Sequence, residues 1–273
     1  MIPRPRWATA LAAMAVLVVA APADAEPEPF EAAVTALSEQ RPQTAIANLE
    51  SLADQGVVDA QASYNRGLAY AMRARLAAQP GDLGRAIHAL EEARSLTSRR
   101  DTRDAAQQAI VLLRSEVARR RARLGEPAVV QPAPPLHRTL AHVLPEDLWA
   151  ILALVSASVF GLGLFLRAWG KGRVRLTGVT ASGVSTLGFA VSLAATLVAR
   201  HERLHVEEGV VVAESARVVD DKRAPIASES PLPEGTRLEI VGRDRGYVAV
   251  RLPSRDAWIA DQTILTIAKV PVE

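Results

Sequence analysis

Two uncharged apolar runs, Leu148–Leu166 and Leu176–Val198, constrain this chain most: each is close to the roughly 20 residues a helix needs to cross a hydrocarbon core of about 30 Å. Between them, the stretch Arg167–Arg175 carries Arg167, Lys171, Arg173 and Arg175 and no acid, whereas Glu146 and Asp147 precede the first run. The pair reads as a transmembrane hairpin with spans at 148–166 and 176–198. Short cytoplasmic loops are enriched in Lys and Arg, so the loop 167–175 is expected inside the cell and both flanking regions on the opposite face. A helical pair buried in a large soluble core is the competing reading, and the length of the uncharged runs argues against it. Small residues recur at helix-packing spacing: Ala150, Ala153, Ala157 and Gly161 in the first run, and Gly178, Ser182, Ser185, Gly188, Ser192 and Thr196 in the second. Such stripes let backbones approach closely in lipid, either within the hairpin or against a partner's helix.

The N-terminus agrees with export. Arg4 and Arg6 precede the apolar run Ala8–Ala21, and Ala23, Asp24 and Ala25 supply small residues at a cleavage position, so residues 1–25 read as a secretory signal peptide. With no cysteine, the exported chain has neither a disulfide nor a lipid-attachment site, which leaves the hairpin as its anchor. A formal net charge of +2 gives no reason to invoke nucleic acid, and 4% aromatic residues favour alanine-rich helical packing over a large β core.

From Phe30 to Leu124 the sequence reads as successive helices, with breaks at Arg41 and Pro42, Gln55 and Gly56, Gln79 to Gly81, and Thr97 and Ser98. Thr44–Glu50 and Gly84–Glu91 resemble each other, which implies an internal repeat of paired helices. Tyr64, Asn65, Gly67 and Tyr70, followed by Ala86, Leu90 and Ala93, resemble a tetratricopeptide repeat; Arg66, in place of the usual leucine, and a longer inter-helix connection depart from the motif. The resemblance implies a short solenoid whose concave face carries Gln61, Tyr64, Leu68 and Met72, residues that would otherwise be ordinary inter-repeat packing. The basic run Arg119 to Arg123 reads as a solvated face, or as a helix C-terminus whose charge complements the dipole. Residues 126–147, with Pro127, Pro132, Pro134, Pro135 and Pro145, read as a semi-stiff linker.

After the hairpin and a juxtamembrane segment at 199–208, the period changes from helix to strand. Val210–Ala213, Arg217–Val219, Thr236–Val241, Tyr247–Leu252, Ala257–Ile259 and Thr263–Ile267 are short β-rich runs separated by turn signals, including Asp220 with Asp221, and Gly242–Gly246. A small antiparallel barrel at 209–273 is expected. The placement of Glu234, Gly235 and Thr236 before one strand, Gly246 and Tyr247 opening another, and Ala257, Trp258 and Ile259 before the last resembles a bacterial SH3-like domain. Tyr247 stands where that pattern has tryptophan, and Asp256 and Ala257 where it has a glycine. Tyr247 and Trp258 are candidates for an aromatic ligand groove, or for core and rim packing.

His201, Glu202, Arg203, Leu204 and His205 match the H-E-x-x-H pattern of zinc metalloproteases, in which two histidines on one helix face bind zinc and the glutamate acts as general base. The surroundings supply no convincing third ligand or walled cleft, so a polar juxtamembrane turn is the favoured reading. Gly161 and Gly163 lie inside an apolar run, Gly170 and Gly172 lack phosphate-loop spacing, and His88, His137 and His142 stand singly. No catalytic residue, cofactor site or metal site is assigned, and the chain is read as non-enzymatic.

The order of pieces resembles the BatE-like proteins of the bacterial aerotolerance operon: signal peptide, tetratricopeptide-like helical repeat module at 26–125, Pro-rich linker, two-helix transmembrane hairpin and small all-β SH3-like barrel. The resemblance covers nearly all of the mature chain and rests on the architecture rather than on any one motif. It implies a multidomain inner-membrane protein, with both N- and C-terminal modules periplasmic, that acts as a scaffold in a cell-envelope stress or aerotolerance complex. The partners it implies are membrane proteins with von Willebrand factor A domains and a MoxR-type AAA ATPase. A peptidoglycan-binding adaptor and a zinc protease are the rival expectations.

Overall fold

A computed structural model of the chain describes residues 28–126, 143–144, 146–226, 229–253 and 255–269. The expected signal peptide and nearly all of the Pro-rich linker, with His137 and His142, lie outside the described residues. The chain divides into two compact units, one made of residues 1–131 together with 207–273 and the other of residues 132–206.

Among the described residues of the first unit, five helices follow each other: α1 (Pro29–Ser38), α2 (Pro42–Asp54), α3 (Ala60–Leu76), α4 (Asp82–Leu96) and α5 (Arg100–Arg123). Each break expected from the sequence is a helix boundary. Pro29 and Pro42 open α1 and α2 at the first turn, where their missing N–H costs nothing. Asp59 caps α3, its carboxylate accepting from the N–H groups of Gln61 at 2.8 Å and Ala62 at 3.0 Å. Gly81 precedes α4 at φ 80°, a left-handed conformation that glycine adopts without steric cost. Each helix packs on its chain neighbour, so the helical pairs read from the repeat are present.

The same unit contains a five-stranded antiparallel sheet of order β6-β5-β4-β1-β7 and a two-stranded ribbon of β2 and β3. Its strands are β1 (Glu207–Val211), β2 (Ser215–Ala216), β3 (Leu232–Pro233), β4 (Arg237–Asp244), β5 (Tyr247–Arg251), β6 (Asp256–Ala260) and β7 (Ile264–Thr266). The sheet starts at Glu207, two residues before its expected boundary. Strand β4 also runs through the turn signal at Gly242, accommodating it with a bulge between Ile240 and Gly242 before turning at Arg245 and Gly246. Arg217–Val219, expected as a strand, forms only isolated bridges from Val219 to Pro225 and Trp258.

The helices and the sheet share a core. Strand β1 is covered on both faces: Val211 packs with Leu238, Ile240, Val248, Val250 and Ile259 inside the sheet, while Val210 joins Ile87, Leu90, Ile110 and Ile267 in the helical core. Successive strand residues point to opposite faces, so a continuous apolar run such as Val210–Val212 belongs to a doubly buried strand. Helix α4 is the central element of this packing, with Leu83, Gly84, Ala86, Ile87, His88, Ala89, Leu90, Glu91, Glu92 and Ala93 all buried. The stretches read from the sequence as repeat module and barrel fall within one compact unit.

Among the described residues, four polar contacts join α4 to the sheet and the segments flanking its strands. The Gly84 N–H donates to Glu234 Oε2 at 3.0 Å, Ser95 Oγ donates to Ala268 O at 2.7 Å, and His88 Nε2 lies 2.9 Å from Thr266 O. The fourth is Glu91, 2% exposed, whose carboxylate meets Arg94 at 2.7 Å, Arg114 at 3.0 Å and Arg237, from β4, at 3.4 Å. Burial pushes the Glu91 carboxyl up, but Arg237, Arg94 and Arg114 together hold it below its ordinary value. Elsewhere in the helices Asp82, with a fully buried side chain, is held by Arg73 through bonds of 2.6 and 2.9 Å, and Glu92 takes Arg66 and Ser63.

Burial lowers the His88 pKa, against the opposing pull of its bond to Thr266 O and of the Glu92 charge. The folded unit therefore favours neutral imidazole, while an unfolded histidine protonates near pH 6.5. The His88 contribution is complete above about pH 6.5 and is lost as pH falls towards the lowered folded value, at a slope of up to about 1.4 kcal/mol per pH unit. We expect the melting temperature of this unit to fall between about pH 6.5 and 5, and the fall to be largely absent in His88→Gln. Thermal melts at stepped pH check this; equal slopes in both proteins would contradict it.

The described residues of the second unit form a pair of helices, α6 (Glu146–Trp169) and α7 (Arg173–His205). Both are long and apolar enough to cross a membrane, with mean hydropathy of 2.2 for α6 and 1.6 for Arg173–Glu202 of α7. They extend beyond the apolar runs because arginine and alanine continue a helix readily. Only residues 170–172 remain between them, with Gly172 at φ 59°. Close approach is through small residues: a Cβ at Gly163 would stand 2.6 Å from Ser182 Oγ, and one at Gly178 would stand 2.7 Å from Gly163 O. Of the stripe read in the second run, Gly178, Ser182, Ser185 and Ser192 form the buried seam, and Gly188 and Thr196 are half-buried. In the first run the seam contains Ala153 and Gly163, while Ala150, Ala157 and Gly161 are exposed.

Candidate functional site

Helix α3 presents Gln61, Tyr64, Leu68 and Met72 at helical spacing, and of these Leu68 lines a cavity. Gln61 is exposed, Met72 is half-buried, and Tyr64 packs against the helical core, where burial raises its pKa. The cavity lies between α3, α4 and α5 and has a volume of about 210 Å³. Leu68, Ala71, Ala74, Leu83, Leu90 and Leu113 form its apolar wall; Leu112, which is 40% exposed, stands at its mouth with Arg75, Glu116, Arg119 and Arg120.

Sequence reasoning missed most of this lining. Its signal was present in α5, where Leu112 and Leu113 are followed at one- and two-turn spacing by Glu116, Arg119 and Arg120, a pattern that places charge beside apolar surface. Of the two readings of the basic run, the helix C-terminus holds, with Arg120, Arg121 and Arg123 in the last turn of α5, while the face is only partly solvated. Arg119 and Arg120 pair with Glu116 at 2.9 and 3.4 Å, Arg120 Nη2 also donates to Ala74 O at 3.3 Å, and Arg121 is buried beside Glu126 at 3.1 Å. Arg75 makes no ion pair among the described residues. The site offers an apolar cleft with a predominantly cationic rim, suited to an aliphatic side chain carried next to acidic ones.

On the sheet, the structure brings Tyr247 and Trp258 together. Tyr247 opposes Ala260 and Trp258 opposes Ala249 in the β5–β6 ladder, so the two rings are diagonal neighbours on one face. Neither is open to solvent as a bare groove. The Arg223 guanidinium carbon lies 3.9 Å from the Trp258 ring centre and 4.5 Å from that of Tyr247. Asp244 Oδ2 accepts from Arg223 Nη2 at 2.9 Å, and the Trp258 indole N–H donates to Asp221 at 2.9 Å. A local device sets this up: the Asp220 carboxylate accepts from the N–H groups of Lys222 and Ala224 at 2.9 and 2.8 Å, closing a turn that carries Arg223 at φ 65°. The paired aspartates were legible only as a turn signal; the arginine was not legible at all.

The H-E-x-x-H segment is helical. His201 to His205 form the last turn of α7 rather than a juxtamembrane turn, and the two histidine rings stack at 4.8 Å. This is the one-face arrangement expected of positions four apart on a helix. Among the described residues no group of three or more His, Cys, Asp or Glu side chains is placed to hold a metal ion, so the two histidines have no third ligand there.

No protein-family model, no curated protein and no solved structure matches the chain.

Proposed function

We propose that this protein is a non-enzymatic, membrane-anchored adaptor of the bacterial envelope that recruits proteins to its helix-and-sheet unit. The observation that supports this most is the apolar cleft between α3, α4 and α5, open at Leu112 and rimmed by Arg75, Arg119 and Arg120. A tetratricopeptide-like stack offers such a cleft to a helix or an extended segment with acidic flanks, and an SH3-like sheet offers a second surface. The two apolar helices hold both at the bilayer as a transmembrane hairpin, with the basic connector cytoplasmic and the rest periplasmic. Joining two surfaces on one anchored body raises the effective concentration of each for a shared partner. On the BatE-like reading, the partners are von Willebrand A-domain membrane proteins working with a MoxR-type ATPase.

The test is cross-linking in intact cells, then affinity purification of the full chain from solubilised membranes. Recovery of those membrane proteins by the wild type, with at least tenfold less for Leu112→Asp, is the expected result. The charge is placed on an exposed position of the cleft, so the fold is spared, whereas deleting α1–α5 would remove half of a shared core. Equal recovery by both proteins would overturn the cleft as the recruitment site. A peptidoglycan-binding role rests on Tyr247 and Trp258, which Arg223 covers; sedimentation of the wild-type chain with isolated sacculi, abolished by Trp258→Ala, would favour it over the adaptor.

A further inference from the structure

We infer that Tyr247, Trp258 and Asp244, with Asp221 positioning the Trp258 ring, form a recognition site for an arginine side chain of a partner protein, and that Arg223 of the same chain occupies this site in the free protein. The inference rests on the sheet being a protein-interaction surface, and it identifies the ligand group that surface takes.

The chemistry of the occupant defines the site. A planar guanidinium stacks on aromatic faces and reaches carboxylates through its forked N–H groups, a combination that an ammonium on a flexible stem does not reproduce. Here the Arg223 guanidinium covers two ring faces and donates to Asp244 Oδ2 at 2.9 Å, while Asp221 accepts from the Trp258 N–H and so fixes that ring. The Asp244 carboxylate is therefore positioned on a cation and, 53% exposed, is accessible from solvent. The other basic group at the rim, Arg245, has its Nε 3.8 Å from Asp244 Oδ1 and leaves the ring faces uncovered.

Arg223 is an imperfect tenant. Its backbone has φ 65°, which L-residues adopt at a cost, and its buried Nη1 has no hydrogen-bond partner. Its anchor is a short turn held by the Asp220 side chain rather than a strand of the sheet. An incoming arginine approaching from outside is free of both constraints: it can place its guanidinium on the same rings and carboxylate while the turn relaxes. A site whose competent state is closed by an internal group binds weakly until that group is removed.

The test uses the full chain in nanodiscs, titrated calorimetrically with acetyl-Gly-Arg-Gly-amide and, separately, acetyl-Gly-Lys-Gly-amide. Arg223→Ala should bind the arginyl peptide at least tenfold more tightly than the wild type does and at least tenfold more tightly than it binds the lysyl peptide. Adding Asp244→Asn should reverse most of that gain. Three results would overturn the inference: no binding by an Arg223→Ala chain that melts like the wild type, equal binding of the two peptides, or a large fall in melting temperature, which would make Arg223 a structural pin. Purifying partners from cells with the same Arg223→Ala chain separates the two ideas, since undiminished recovery alongside absent peptide binding would remove this site and leave the adaptor standing.

Discussion

Glu91→Ala should lower the stability of the helix-and-sheet unit by about 3 kcal/mol, the lower end of the range for removing one partner of a buried ion pair. Glu91 is 2% exposed, yet Arg94, Arg114 and Arg237 around it are 28–33% exposed and recover some hydration when it is lost. For a unit of this size the change corresponds to a fall in melting temperature of about 6–12 °C. The loss has a particular cause: three arginines from α4, α5 and β4 would face one another with no carboxylate between them. Neutralising one of them as well, as in Glu91→Ala with Arg114→Met, should therefore be less damaging than the two single effects summed. The carboxyl is also held below its ordinary value, so the stability it contributes is present above about pH 4.3 and is lost as pH falls through the lowered value. That window lies below the one expected for His88, and the two are separable in a single pH series.

The second large effect runs against helix propensity. In an isolated helix, Gly84→Ala would gain up to about 1 kcal/mol. In this structure the added Cβ would stand 2.7 Å from Val211 O and 2.9 Å from Val212 Cα, backbone atoms of the strand docked on α4. The strand must move away, and the Gly84 N–H bond to Glu234 at 3.0 Å goes with it. We expect a net loss of about 1–3 kcal/mol, as for overpacking in a tight core. Stability unchanged or increased in a chemical-denaturation series would mean that α4 and the sheet do not pack this closely. Glu234, whose carboxyl burial pushes up, loses its main compensating bond in the same variant.

These two residues show where sequence reasoning stops. Helix boundaries were legible because prolines, glycines and the Asp59 cap act within a few residues of themselves. The apolar runs of α6 and α7 were legible because length and lack of charge suffice. The docking of α4 was not. Gly84, His88 and Glu91 read locally as part of one helical repeat, and their partners Glu234, Thr266 and Arg237 lie more than a hundred residues away in sequence. A signal existed in retrospect: small and apolar residues occupy more of α4 than one narrow stripe, with Leu83, Gly84, Ala86, Ile87, Ala89, Leu90 and Ala93 all buried. Likewise Val210, Val211 and Val212 break the alternation of a half-exposed strand and mark β1 as covered twice.

The candidate sites divide in the same way. Leu68, Tyr247 and Trp258 came from motif positions and do lie at a cavity or an aromatic cluster, whereas Gln61, Tyr64 and Met72 serve the surface or the core of α3. Leu112, Arg75 and Arg223 have no motif, because a cleft between helices and a turn folded over a sheet are properties of tertiary packing. The histidines at 201 and 205 were a literal motif match and found a helix turn, without a third ligand among the described residues.

The account as a whole requires that the residues before the hairpin and those after it form one body on one side of the membrane. The chain has no cysteine, so Ser95→Cys with Ala268→Cys supplies a unique pair at a contact of 2.7 Å. A protease site placed within residues 128–142 then allows the two halves to be separated after treating spheroplasts with a short, membrane-impermeant thiol cross-linker. The account predicts that the two fragments stay joined on a denaturing gel after cleavage, and that either cysteine alone leaves them separate. Fragments that part although both cysteines react with an impermeant maleimide would contradict the shared core, and protection of one cysteine but not the other would contradict the hairpin.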